Sequence, residues 1–342
     1  MNQATSKKVT TRSKIIKGSM LVALIVAIKL FIPRLFEFES INSVLLWLPL
    51  LLMVALGELV VVLTGGIDIS VGSILACSAM LLGIWVSQHP DTSLAAMFGL
   101  CALTGLILGG INGALVGLAK LPPLIVTIGT LATFRGLAFL IGSGKTVTGS
   151  MLPDSLLSLA SHGLTLGNIL VSWLTIVSLL AATAMSLFLK FSILGREIYA
   201  FGSQPLRAFR SGISERKIHF MVFMISGACA GIGGWIYASR FGLVHPGTAG
   251  SGFELSVIAA VVVGGTKLTG GQGSVLKVIL SCILLSLINV GLSVVGIDAS
   301  WQMLVYGLVL LIAVMLGGKP LFKLENLTAK TASTNVCSDY NN

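Results

Sequence analysis

Six polar side chains interrupt apolar stretches of this sequence: Glu58, Asp68, Asn112, Thr127, Arg135 and Glu254. Asp68 is the most informative. It lies in Val60 to Ser73, V-V-V-L-T-G-G-I-D-I-S-V-G-S, just past an apolar run, among Gly65, Gly66, Gly72 and the hydroxyls of Thr64, Ser70 and Ser73. A carboxylate and irregular glycine-rich backbone persist at membrane depth only where protein or water covers them. The segment is therefore expected inside a helix bundle, beside a path or a moving part. Glu58 sits within the preceding run, where it could bond hydroxyl-rich cargo or serve as a structural ion-pair partner. Asn112, in Gly109-Gly110-Ile-Asn112-Gly113, could bond across a helix interface or line a path. Pro122-Pro123 suits the first turn of a helix. Thr127, Thr130, Thr133 and Arg135 follow it. The threonines have their own backbone as partner, whereas Arg135 needs one, with Asp68 and Glu58 as candidates.

Other chemistries find little support. Cys77, Cys101, Cys229, Cys282 and Cys337 form no C-x-x-C pair, and four of them lie in apolar stretches, as small buried residues do. His89, His162, His219 and His245 are far apart, and no nucleophile–base pattern accompanies them. No catalytic residue and no metal site is expected. Gly142-Ser-Gly-Lys-Thr146 resembles the end of a phosphate-binding loop, but Phe139 stands where the pattern needs its first glycine, and no strand precedes it.

These residues must be carried by membrane helices. The chain is 55% hydrophobic and 10% charged. Its apolar runs are of spanning length, about 17–25 residues. About ten spans are predicted, at 18–33, 43–63, 70–87, 94–119, 122–142, 168–189, 218–241, 253–265, 274–294 and 300–317. The third and eighth are short or glycine-interrupted, which allows broken or re-entrant helices. Forty glycines suit helices in close approach. An even span count puts both termini on one side. Lys7, Lys8, Arg12, Lys14, Lys17 and the basic residues from Lys190 to Lys217 then share that side, while Arg34 and Lys145 face the other. The positive-inside rule makes the termini and the 190–217 loop cytoplasmic. The net charge of +10 is thus a topology signal. Basic residues scattered among membrane loops do not suit nucleic acid. The first span, with no small-x-small site after Ile32-Pro33, is expected to be retained as an anchor.

The expected organisation is all-α and polytopic. A basic tail covers 1–17, a transmembrane domain 18–318, and a polar tail 319–342. The loop from Phe191 to Lys217 alternates apolar and basic residues and is punctuated by Gly195, Gly202, Pro205 and Gly212. A short amphipathic helix bounded by turns fits it. It could dock a soluble partner or rest on anionic membrane lipid. A faint internal repeat joins Val61–Ser73 to Val261–Ser274: in each, a valine run precedes Gly-Gly, and Gly-Ser follows at a similar distance. Such repeats are common in transporters whose halves rock about a central site.

Thr64-Gly-Gly-Ile-Asp-Ile-Ser-Val-Gly-Ser73 resembles the signature of the membrane permeases of bacterial sugar ABC importers of the ribose, xylose, arabinose and galactose type. The similarity continues through Gly109–Gly113, Pro122–Gly136, Gly195-Arg196, Ala200, Gly202, Pro205, Ser211-Gly212-Ile213, Gly264-Gly265 and Gly270–Gly273. It spans roughly residues 40–317. The resemblance implies one half of a permease dimer, completed by a second copy or a paralogue, in the bacterial inner membrane. Cytoplasmic ABC ATPase subunits would dock on a coupling loop containing Gly195, Arg196, Gly202, Ser203, Pro205, Arg210, Ser211 and Gly212. They would use ATP and magnesium, leaving this chain without a cofactor. A periplasmic or lipid-anchored sugar-binding protein would deliver a pentose, hexose or deoxyhexose. The sequence departs from the family pattern at Gln204, Leu206, Arg207, Phe209-Arg210 and Glu58. Import of a furanosyl signalling molecule such as autoinducer-2 is implied equally by the motif. A secondary transporter using Glu58, Asp68 or Glu254 as proton or cation sites is the reading from another class.

Overall fold

The computed structural model describes residues 33–297 and 299–317. The expected 1–17 and 319–342 tails, Cys337 and all of the first span but Pro33 lie outside them. After a 3-10 turn at Pro33–Phe36, the chain runs through α1 (Phe38–Leu63), α2 (Val71–Gln88), α3 (Leu94–Gly117), α4 (Pro123–Gly142) and α5 (Asp154–Ser161). The hairpin β1 (Gly163–Leu166) and β2 (Ile169–Ser172) leads to α6 (Trp173–Phe191), α7 (Ile193–Ser203) and α8 (Pro205–Arg210). Then come α9 (Glu215–Phe241), α10 (Phe253–Val263), α11 (Val275–Val294) and α12 (Ala299–Gly317). Seven of these helices are long and apolar enough to cross a membrane, namely α1 to α4, α6, α9 and α11. The chain is an all-α polytopic membrane protein.

The second to tenth expected spans fall on α1, α2, α3, α4, α6, α9, α10, α11 and α12. One boundary is corrected. Residues 168–172 are not helical: Gly167 takes a left-handed φ of 63° and turns the chain into the antiparallel β1–β2 hairpin. Asn42 of α1 clamps that turn, donating to the Asn168 carbonyl at 3.0 Å and accepting from the Leu170 amide at 2.9 Å. The helix starts only after Ser172, whose hydroxyl caps it by accepting from the Thr175 amide at 3.3 Å. The eighth span is short as expected. At eleven residues, α10 covers about 16 Å, roughly half a bilayer core.

The centre of the bundle is α1, buried almost continuously from Leu48 to Leu63, with α2 and α9 against it. α9 packs on α3 along a stripe of glycines. Gly105, Gly109, Gly113 and Gly117 recur every fourth residue and so share one face. A Cβ on Gly109 would overlap the Phe223 carbonyl and lie 2.8 Å from the Gly227 Cα. On Gly113 it would lie 2.8 Å from the Phe220 Cα. Backbone-to-backbone contact of this kind holds helices together in lipid, where apolar burial supplies little drive.

Candidate functional site

Asp68 lies in the non-helical turn between α1 and α2, and it is fully buried. Its Oδ1 accepts from the Ser70 amide at 3.0 Å and the Ser70 hydroxyl at 2.6 Å, and its Oδ2 from the Ser226 hydroxyl of α9 at 3.0 Å. The Asp68 amide donates to Glu58 Oε1 of α1 at 3.1 Å. Asn112 of α3 donates from Nδ2 to Ser70 Oγ at 2.8 Å, and Thr127 of α4 donates to the Ile67 carbonyl at 3.3 Å. Four helices therefore grip residues 67–70 through polar side chains. Glu58, Asp68, Asn112 and Thr127, scattered in sequence, converge on one buried knot. Asn112 bonds the turn between two helices rather than a facing helix directly. The spacing gave no sign of Ser226; a serine in the glycine-rich face of α9 was the available signal.

Arg135 corrects an expectation. Its guanidinium does not pair with Asp68 or Glu58. It donates from Nη1 to the Pro246 carbonyl at 2.9 Å and also to the Ala249 carbonyl. Both acceptors lie in the segment between α9 and α10. This is a second interrupted stretch, and Arg135 staples it to α4. The Glu254 carboxylate forms no ion pair with Arg135 among the described residues. Glu254 is thus separate from the Asp68 knot. Its Oε2 would lie 2.7 Å from a Cβ on Gly72, so it borders the first turn of α2.

The internal repeat has a shared geometry. α1 and α10 both end in a Schellman cap: Gly65 at φ 84° and Gly265 at φ 77° turn left-handed. The Gly65 amide donates to the Val62 carbonyl at 2.9 Å and Gly66 to Val61 at 3.3 Å. Gly265 donates to Val262 at 2.8 Å and Thr266 to Val261 at 3.2 Å. Both runs need a residue at C′ that adopts positive φ freely, which glycine does. The loop that follows α10 returns to the end of α1, where the Gly271 amide donates to the Leu63 carbonyl at 2.8 Å.

The 190–217 loop folds onto this junction as two short helices. Ser192 caps α7, accepting from the Gly195 amide at 2.8 Å. A Cβ on Gly195 would lie 2.6 Å from the Phe188 and Leu189 carbonyls. On Gly202 it would overlap the Leu63 carbonyl and lie 2.6 Å from the Gly271 nitrogen. Tyr199 donates to the Gly273 carbonyl at 3.1 Å, and burial raises its phenol above the ordinary pKa, so it stays a neutral donor. Ser203 donates back to Tyr199 at 2.8 Å. Pro205 opens α8, and Gly212, at φ 84°, closes the turn after it. The eight loop residues thus split. Gly195 and Gly202 face the chain's own membrane helices, while Arg196, Ser203, Pro205, Arg210, Ser211 and Gly212 are exposed. Around the latter, Leu206 and Phe209 are 65% and 67% exposed beside Arg207 and Arg210. Gly142 is the last residue of α4 and Ser143–Thr146 follows that helix rather than a strand, which removes the phosphate-loop resemblance.

A family model described as "Branched-chain amino acid transport system / permease component" matches residues 40–314. The autoinducer 2 import system permease protein of Photorhabdus luminescens is 34% identical over 86% of this chain and 86% of its own length. The D-allose transport system permease protein of Escherichia coli K12 is 35% identical over 81% and 83%. The ribose import permease protein of Haemophilus influenzae is 33% identical over 86% and 90%. No solved structure matches significantly.

Proposed function

The chain belongs to this family of permease components, and from that premise we propose that it is the membrane-spanning half of an ABC importer for a monosaccharide in the bacterial inner membrane. It is a transport component, not an enzyme. Hydrolysis of ATP with magnesium falls to a partner ATPase, and a periplasmic or lipid-anchored sugar-binding protein supplies the cargo. A second copy or a paralogue completes the path.

One observation carries the reading: the 190–217 loop presents apolar and basic side chains outward while its inner face locks, through Gly202, onto the Leu63–Gly271 junction. Exposed Leu206 and Phe209 beside Arg207 and Arg210 form an anchor for a soluble partner. Five residues along the chain from Leu63 is Asp68. A displacement imposed on α7 and α8 therefore reaches the carboxylate knot through backbone contacts, with no flexible side chain between. We propose the matching domain division, with residues 18–318 as the transmembrane unit, residues 190–217 as its coupling element, and 1–17 and 319–342 as its tails.

Relatives named for ribose and D-allose favour an aldose. The relative named for autoinducer 2 makes that molecule the second reading. The test is a pull-down of the tagged chain in mild detergent from its own cell, with mass spectrometry, followed by uptake of radiolabelled sugars in proteoliposomes. Recovery of an ABC ATPase and a sugar-binding protein, with ATP-dependent uptake of an aldose that autoinducer 2 does not outcompete, is expected. Transport by this chain alone would replace the reading with a secondary transporter working through Glu58, Asp68 or Glu254.

A further inference from the structure

The end of the bundle opposite the 190–217 loop holds a cavity of about 350 Å³ that none of the roles above uses. It lies between α1, α9, α10, α11 and α12. Trp47, Tyr237, Phe241, Phe253 and Tyr306 bring aromatic rings to its lining, and Leu50, Leu51 and Leu75 add apolar surface. Three of these rings are fixed by their neighbours. Phe241 meets Trp47 edge-on at 5.9 Å and Tyr237 at 4.6 Å. The Arg240 guanidinium sits 4.0 Å from the Trp47 ring centre while donating to the Leu46 carbonyl. A wall held this way is formed before any ligand arrives.

The lining also carries polar groups. Ser286 and Asn289 of α11, three residues apart, share a helix face. Asn289 Nδ2 donates to the Tyr306 hydroxyl at 2.8 Å and to Gln302 Oε1 at 3.0 Å, which fixes the amide plane. Its Oδ1 has no partner among the described residues, and neither has the Ser286 hydroxyl. Both residues line the cavity yet are only 3% and 2% exposed. A buried polar atom left unpaired costs about 1–3 kcal/mol. Two of them on one helix face of one cavity call for a ligand that completes them.

The chemistry of that ligand can be read from the walls. No charged side chain lines the cavity among the described residues, so its complement is neutral. Flat rings suit the C–H face of a sugar ring, and an amide acceptor with a hydroxyl in the same lining suits its hydroxyls. The volume is near the lower end of small-molecule pockets, about 300–1,000 Å³. We propose that this cavity is a monosaccharide-binding site built within a single permease chain. The proposal rests on the sugar-importer reading and adds to it a site where the permease itself holds cargo.

The experiment runs in two arms. Uptake of radiolabelled D-ribose and D-allose by the complete importer in proteoliposomes tests the sugar reading. Equilibrium binding of the same two sugars to the purified chain in lipid nanodiscs, without the binding protein, tests the cavity. Saturable binding to one site per chain is expected. It should weaken at least tenfold in Asn289→Leu and Ser286→Val and vanish in Ser286→Phe, which fills the space. Ser286→Cys, nearly isosteric, guards against misfolding: bound sugar should slow its labelling by a methanethiosulfonate reagent at least fivefold. Uptake by the complex without saturable binding to the chain overturns the cavity site and leaves the importer intact. Binding unmoved by Ser286→Phe, or Ser286→Cys labelled equally fast with and without sugar, overturns it as well. Failure of the complete importer to take up either sugar brings down the sugar reading and this inference with it.

Discussion

The two ends of the bundle follow opposite rules of packing. At the end carrying α7 and α8, backbones touch: Gly202 lies on the Leu63 carbonyl, and Gly271 donates into the same carbonyl. Glycine is required there because any side chain would separate the strands of the junction. At the other end, Trp47, Tyr237, Phe241 and Tyr306 hold helices apart around an open volume. Close-packed backbone passes on a displacement, because it has no slack to absorb one. An aromatic-walled space tolerates a guest for the opposite reason. The Asp68 knot stands between them, gripped by α1, α3, α4 and α9. On the proposed function this is a division of labour between the two ends: force enters at the tight end, and space for cargo is kept at the roomy end.

The largest effect should come from Gly202→Leu. Overpacking a filled site costs about 1–3 kcal/mol and occasionally more, and here the obstacle is backbone that has no rotamer to change. The Gly271–Leu63 hydrogen bond should be lost, the unfolding midpoint in nanodiscs should fall by several degrees, and uptake should disappear. The mirror substitution, Ser286→Leu at the roomy end, should leave the midpoint unchanged or raise it, since filling a cavity typically adds about 0.5–2 kcal/mol. Equal destabilisation by the two would break the comparison.

Asp68→Asn comes next. The amide keeps the shape but replaces one acceptor with a donor, so either Ser226 must turn to accept or the Ser70 amide is left without an acceptor. Leaving a buried polar group without its partner costs about 1–3 kcal/mol. ATP-driven uptake should drop at least tenfold while the chain still inserts and elutes as one species. Wild-type uptake would show that the knot is only scaffold. Phe209→Glu should act on neither end of the bundle. It should cut recovery of the ATPase partner about tenfold in a pull-down without shifting the unfolding midpoint, because Phe209 is 67% exposed.

Much of this was legible in the sequence for identifiable physical reasons. Helices long enough to span leave an unbroken apolar signal, so α1, α3, α4, α9 and α11 were visible within a few residues. The Thr64–Ser73 segment announced itself because glycines and a carboxylate are costly in lipid unless buried for a purpose. Pairing was not legible. Arg135 needed a partner, but that partner proved to be two carbonyls more than 100 residues away, and carbonyls carry no sequence label. The β1–β2 hairpin escaped notice because its second strand, Ile169 to Ser172, runs into the apolar stretch and reads as the start of the 168–189 span. The cavity escaped because each lining residue is ordinary alone. Ser286 and Asn289 become a site only when α12 places Tyr306 and Gln302 beside them.

The smallest effect belongs to Gly212→Ala, and it is the sharpest test of the packing contrast. Gly202 and Gly212 lie ten residues apart in the same loop, and both fit the permease pattern, so sequence similarity ranks them alike. The structure separates them. A Cβ on Gly202 strikes backbone, whereas one on Gly212 meets nothing within 4 Å. What Gly212 supplies is its φ of 84°, which costs an alanine about 1–2 kcal/mol. That strain falls on an exposed turn, where the backbone has freedom to relax. Gly212→Ala should therefore keep ATPase recovery within about threefold of wild type and move the unfolding midpoint by no more than a few degrees, roughly what 1 kcal/mol does in a chain of this size. If Gly212→Ala were as damaging as Gly202→Leu, the loop would work through its backbone conformation throughout, and tight packing at Leu63 would not be what sets the inner end apart.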